Sequence, residues 1–105
     1  MDSKLMNLIK QGDESTIMDH KSNLDPMVRE MIAVYGSPAV RKYMINQREQ
    51  DLFVLRSLVE HGDDNDRVKI LQDHSDQEIV LEAARMYGGG VVQQWIDTYV
   101  DSVVV

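Results

Sequence analysis

The chain has no cysteine, and its 105 residues include only two prolines, one tryptophan and one phenylalanine. Without cysteine there is no disulfide, no thiol nucleophile and no thiolate metal site, which accords with a cytoplasmic protein. No apolar run approaches the roughly 18 residues of a membrane span. The opening stretch offers only Leu5 to Ile9 as an apolar patch, too short for the core of a secretory signal. Basic residues are also scarce: 11 Lys and Arg stand against 18 Asp and Glu, a formal charge of −7. Such a chain repels phosphate backbones, so direct nucleic-acid binding is not expected, and neither is a membrane.

What the chain does have is a recurring glycine. Gly12, Gly36, Gly62 and Gly88 stand 24, 26 and 26 residues apart, each after a stretch with the same helical apolar pattern. Four residues before them stand Leu8, Ile32, Leu58 and Ala84; further back come Leu5, Val28, Val54–Leu55 and Val80–Leu81. Spacings of three and four place these side chains on one helix face. The glycine then ends the helix in the left-handed conformation it commonly supplies. A second helix follows almost at once. Ser37-Pro38 is a strong start signal, Asp13 and Asp63 cap in the equivalent place, and Asp25-Pro26 opens a first helix. Gly89 is a poorer cap, and the second helix near Ile17 is short. Eight residues after the anchors come His20, Met44, Ile70 and Ile96. Tyr35 and Tyr87, each just before its glycine, are expected to pack at junctions.

A helix pair of about 25 residues cannot bury its apolar face alone, so neighbouring pairs must cover one another. The expected architecture is all-α: one domain over residues 1–105, about four helix pairs in a short right-handed α-solenoid. At its C-terminus Trp95, Ile96, Tyr99, Val100 and Val103 recur at helical spacing. They either fold back as an amphipathic capping helix or form a dimer seam, for which Trp95, Tyr99 and Val103 are the candidate residues.

The stretch Asp25-Pro26-Met27-Val28-Arg29-Glu30-Met31-Ile32-Ala33, closed by Tyr35-Gly36, and the stretch Asp73 to Val80 resemble HEAT-like repeats and their compact relatives, the leucine-rich-repeat variants. Those families open a helix with an acid-(Pro)-x-Val-Arg stretch, and the resemblance implies a stacked surface that binds other proteins. The chain departs from the pattern at its short first pair, at Leu81 where Arg29 finds no counterpart, and at Gly88-Gly89-Gly90.

Catalytic patterns are missing. His20 and His74 follow aspartates, but no third ligand and no HExxH spacing accompanies them, so they read as solvent-facing or capping. Asp63-Asp64-Asn65-Asp66 fails as a calcium loop, because its sixth position is Val68 and its twelfth His74; it reads as an acidic helix start. The triple glycine lacks the lysine and preceding strand of a phosphate loop. No catalytic residue, metal or cofactor is expected.

The expected function is therefore a non-enzymatic protein-interaction module, a small regulator or adaptor docking its repeat surface on another protein. Arg41, Lys42 and Arg48, with Arg67 and Lys69 further on, are the candidate contact residues on the second helices. The alternative is an acidic inhibitor that mimics nucleic acid and blocks a DNA- or RNA-binding enzyme. A homodimer through the C-terminal helix is compatible with the first reading.

Overall fold

The computed structural model describes residues 2–103. Among them run eight α-helices and no strand: α1 (Ser3–Lys10), α2 (Glu14–His20), α3 (Pro26–Tyr35), α4 (Pro38–Asn46), α5 (Leu52–His61), α6 (Asp64–His74), α7 (Glu78–Tyr87) and α8 (Gly90–Val103). Side chains mark most of their starts. Asp2, Asp13, Asp25, Ser37, Asp51 and Asp63 each accept a hydrogen bond from an amide of the first turn. Asp63 and Asp66 form a full capping box. Pro26 and Pro38 occupy first-turn positions, where their missing N–H costs nothing.

The glycines end helices in a way that differs from the expectation. Only Gly12 has a left-handed φ, at 75°. Gly36, Gly62 and Gly88 are extended, each donating its N–H to the carbonyl four residues back at 2.7 to 2.8 Å. A Cβ at any of these three would lie 2.6 Å from that same carbonyl oxygen, and at Gly88 also 2.4 Å from Val92. Glycine is required there by close approach, not by backbone handedness.

The 26-residue interval governs what is buried. Val28, Val54 and Val80 are buried; so are Ile32, Leu58 and Ala84 on the same helices, and Met44, Ile70 and Ile96 on the partners. The first helices pack in series, α1 on α3, α3 on α5, and α5 on α7; the second helices follow, α4 on α6 and α6 on α8. Each helix also packs on its partner in the pair. The extents are 51 × 22 × 20 Å, and the radius of gyration of 14.4 Å exceeds the value of about 13 Å expected for a globule of this length.

Both ends of the first row turn polar. Three residues before the glycines, Ile9, Ala33 and Val59 are fully buried, while Arg85 is exposed. Five before, Met31 is half-buried, Ser57 and Ala83 are buried, and Asn7 is exposed. The second row ends likewise: Ile45 and Leu71 are buried, and Asp97, at the same interval, is exposed. At these positions the exposed residues, Asn7, Arg85 and Asp97, are all polar.

Candidate functional site

Arg41 and Arg67, expected as exposed contacts, are half-buried and occupied within the fold. The Nε of Arg41 donates to the Ala33 carbonyl at 2.8 Å and its Nη2 to the Gly36 carbonyl at 2.9 Å. Arg67 repeats this one interval later, donating to the Val59 carbonyl at 2.8 Å and to the Glu60 carbonyl at 3.3 Å. Gln93 repeats it again, from Nε2 to the carbonyls of Arg85 at 2.9 Å and Gly88 at 3.1 Å. In all three pairs the fifth residue after the glycine clamps the second helix to carbonyls at the end of the first, which have no partner of their own in that helix. The sequence carried this signal as a polar residue with donor capacity at a fixed offset, and charge alone suggested a binding role.

The remaining candidates sit apart from one another. Lys42 reaches from α4 to the start of α6, with Nζ 3.0 Å from carboxylate oxygens of both Asp63 and Asp66. Asp66 is buried where Val40 and Val92 stand at the same interval, and it is satisfied by Lys42 and by the Asp63 N–H. Lys69 donates to the Asn46 side chain. Arg48 lies beyond α4 with a φ of 61°, exposed, and among the described residues makes no side-chain hydrogen bond.

The weak cap expected at Gly89 is supplied from the neighbouring pair. Asp64 accepts the Gly89 N–H at 3.1 Å and also pairs with Arg67 at 2.8 Å. The Gly89 amide, then Arg67, holds the Asp64 carboxyl below its ordinary value; the Asp66 amide, then Lys42, does the same for Asp63. A depressed carboxylate adds stability above its unfolded pKa and loses it as the pH falls through the folded one. The melting temperature is therefore expected to drop as the pH falls below the ordinary value of 3.8. Asp64→Asn should flatten part of that drop in a thermal-melt series, and an unchanged acid limb would contradict the assignment.

The first pair lacks the clamp. Five residues after Gly12 stands Ile17, which is buried and has no polar atom to reach back with. The interval is also two residues shorter, and α2 has only 7 residues. Here a groove of about 650 Å³ opens between α2 and α4. Ile17 and Met18 form one wall, Ala39, Val40 and Tyr43 the other, and Tyr35 stands at its edge. Glu14, in the first turn of α2, and Lys21, just past its last, place opposite charges at the two ends. The Lys21 Nζ lies 4.0 Å above the Tyr43 ring, a cation–π contact. The Tyr43 hydroxyl is 2.9 Å from that of Ser22. Tyr35 is 44% exposed and Tyr87 is 39% exposed, so neither ring is sealed in a junction as the sequence suggested.

The C-terminal helix divides by face. Val92 and Ile96 are buried, and Trp95 and Val100 pack partly against the core. Trp95 and Tyr99 stack with centroids 5.6 Å apart, and Val103 is exposed. Among the described residues no group of three or more His, Asp or Glu is placed to hold a metal ion, and no helix is long and apolar enough to cross a membrane. No family model matches the chain, and no curated protein or solved structure is significantly similar to it.

Proposed function

We propose that this chain is a short α-solenoid of about four HEAT-like helix pairs that acts as a non-enzymatic docking module for another protein, with the groove between α2 and α4 as its contact surface. The serial packing of the two helix rows, the elongated shape and the polar end faces support the solenoid. The observation that carries the docking role is the groove itself. It is lined by Met18, Tyr35, Ala39 and Tyr43, with single charges at its ends. A concave surface of apolar and aromatic side chains with few placed polar groups suits the apolar anchors of a protein segment. Arg41 and Arg67 serve the scaffold in this reading, and partner contacts fall on what the clamps leave free.

The reading as a nucleic-acid mimic draws less support, because so many acids are already engaged. Asp2, Asp13, Asp25, Asp51 and Asp63 hold helix starts, while Glu49, Asp64 and Asp66 pair with cations. A phosphate mimic needs carboxylates free along one face.

The test compares the wild type with Met18→Glu/Ala39→Glu, both at exposed positions. A protein co-purifying with the wild type is expected to be recovered about tenfold less well with the double variant, since desolvated anchors dominate interface energies. Glu82→Ala, on α7, should recover it normally. Equal recovery by all three would remove the groove from the account.

A further inference from the structure

The α2–α4 groove does not end at Lys21. Lys21 and Tyr43 also line a second depression of about 360 Å³, which continues past them to the turn before α5. Ile17, Met18, Ala39 and Val40 make the first part apolar, whereas Ser22, Asn23, Gln47 and Gln50 edge the second. The second part is also cationic. Lys21, Arg29 and Arg48 line it, with Glu49 as its one carboxylate, and Glu49 is taken up by Arg29 at 2.7 and 3.0 Å. Asp25 and Asp51 stand close to Arg29, but both cap helix starts and neither lines the depression.

Among the described residues Lys21 and Arg48 pair with no carboxylate. Lys21 is held over the Tyr43 ring, whose hydroxyl is fixed by Ser22, and its ammonium keeps N–H groups to donate. Arg48 takes a φ of 61°, the left-handed conformation that helix ends usually give to glycine. Its backbone N–H closes α4 on the Ile45 carbonyl, a bond that glycine would make as well, so the fold has no use for the guanidinium. We propose, building on the docking role of the groove, that its occupant is a protein segment in which apolar residues adjoin aspartates or glutamates. The apolar residues fill the space between α2 and α4, and the acids reach Lys21 and Arg48. From Glu14 to Lys21 the helix rises about 10 Å, two turns, so the segment presents about two apolar anchors before its acids begin. Glu14, at the far end, opposes the reverse direction. The chain carries a formal charge of −7, so an acidic segment is repelled elsewhere and this cationic depression selects its place.

The probe is a short peptide with leucines at helical spacing followed by a run of glutamates, compared with the same peptide ending in glutamines. In NMR titrations of the labelled protein both are expected to shift the amides of Met18 and Ala39. The glutamate peptide should shift those of Ser22 and Gln47 as well, and bind about tenfold more tightly, an advantage that high salt reduces. Arg48→Gly should remove most of that advantage. It should leave the affinity of the glutamine peptide unchanged and the melting temperature no lower, because glycine suits the left-handed position. Equal affinity for the two peptides, or an advantage indifferent to Arg48→Gly, would overturn the acidic end and leave the groove as a docking surface. Silence of Met18 and Ala39 with both peptides would remove the two together. Shifts of those amides on raising the protein concentration alone would overturn the proposal too, by giving the groove to a second copy.

Discussion

Glu49→Ala is expected to cost about 3 kcal/mol of stability, the magnitude seen when one partner of a buried ion pair is removed. The Glu49 side chain is 6% accessible and that of Arg29 is 19%. Their two parallel bonds, at 2.7 and 3.0 Å, hold the start of α3 to the turn before α5. The guanidinium also donates to the Asn23 carbonyl at 2.8 Å, and Glu49 accepts the N–H groups of Gln50 and Asp51, each at 3.1 Å. Removing the carboxylate strands a largely buried cation and takes the acceptor from the part-buried Asp51 amide at once. For a chain of this size each kcal/mol lowers the melting temperature by about 4 °C or more, so a fall of roughly 12 °C is expected in a thermal melt. Glu49→Gln keeps the shape and an acceptor and should cost less. A shift within about 2 °C for Glu49→Ala would contradict the assignment.

Arg67→Ala carries the second large effect, about 2 kcal/mol, because it frees the Val59 and Glu60 carbonyls and breaks the pair with Asp64. Lysine cannot reproduce a forked guanidinium, so Arg67→Lys should recover little of the loss. Lys69→Ala, at an exposed position on the same helix, should stay within about 0.5 kcal/mol. Urea denaturation of the three variants checks the contrast. If Arg67→Ala were as stable as Lys69→Ala, the clamp would be no part of what holds the pair together.

The all-helical fold was legible in the sequence because its signals are local. Ser37-Pro38 and Asp25-Pro26 open helices, the apolar residues before each glycine are mostly buried, and the pair near Ile17 is short. The conformation of the glycines was not legible. An extended glycine pressed against a carbonyl and a left-handed one leave the same letter, and only the backbone path distinguishes them. Nor was the fate of the arginines. A guanidinium on a helix facing solvent and one folded back on a neighbouring helix end have the same local pattern, and the difference lies in which carbonyls lie within reach. The groove escaped for a related reason. It arises from an omission, since Ile17 stands where Arg41, Arg67 and Gln93 clamp the later pairs, and only the shortened first interval announces it. The Asp64–Gly89 bond spans 25 residues and rests on two pairs packing side by side, so no local pattern encodes it.

Site-specific photocrosslinking tests the central claim most directly. A benzophenone side chain is placed at Ala39 in the groove, and separately at Glu82 on α7 and Asn65 on α6, all exposed. Crosslinking is carried out in cells producing the protein at native levels. The docking account predicts one discrete protein adduct from Ala39, absent from Glu82 and Asn65 and lost when Met18→Glu is added. No adduct from Ala39, or the same adducts from all three positions, would contradict it.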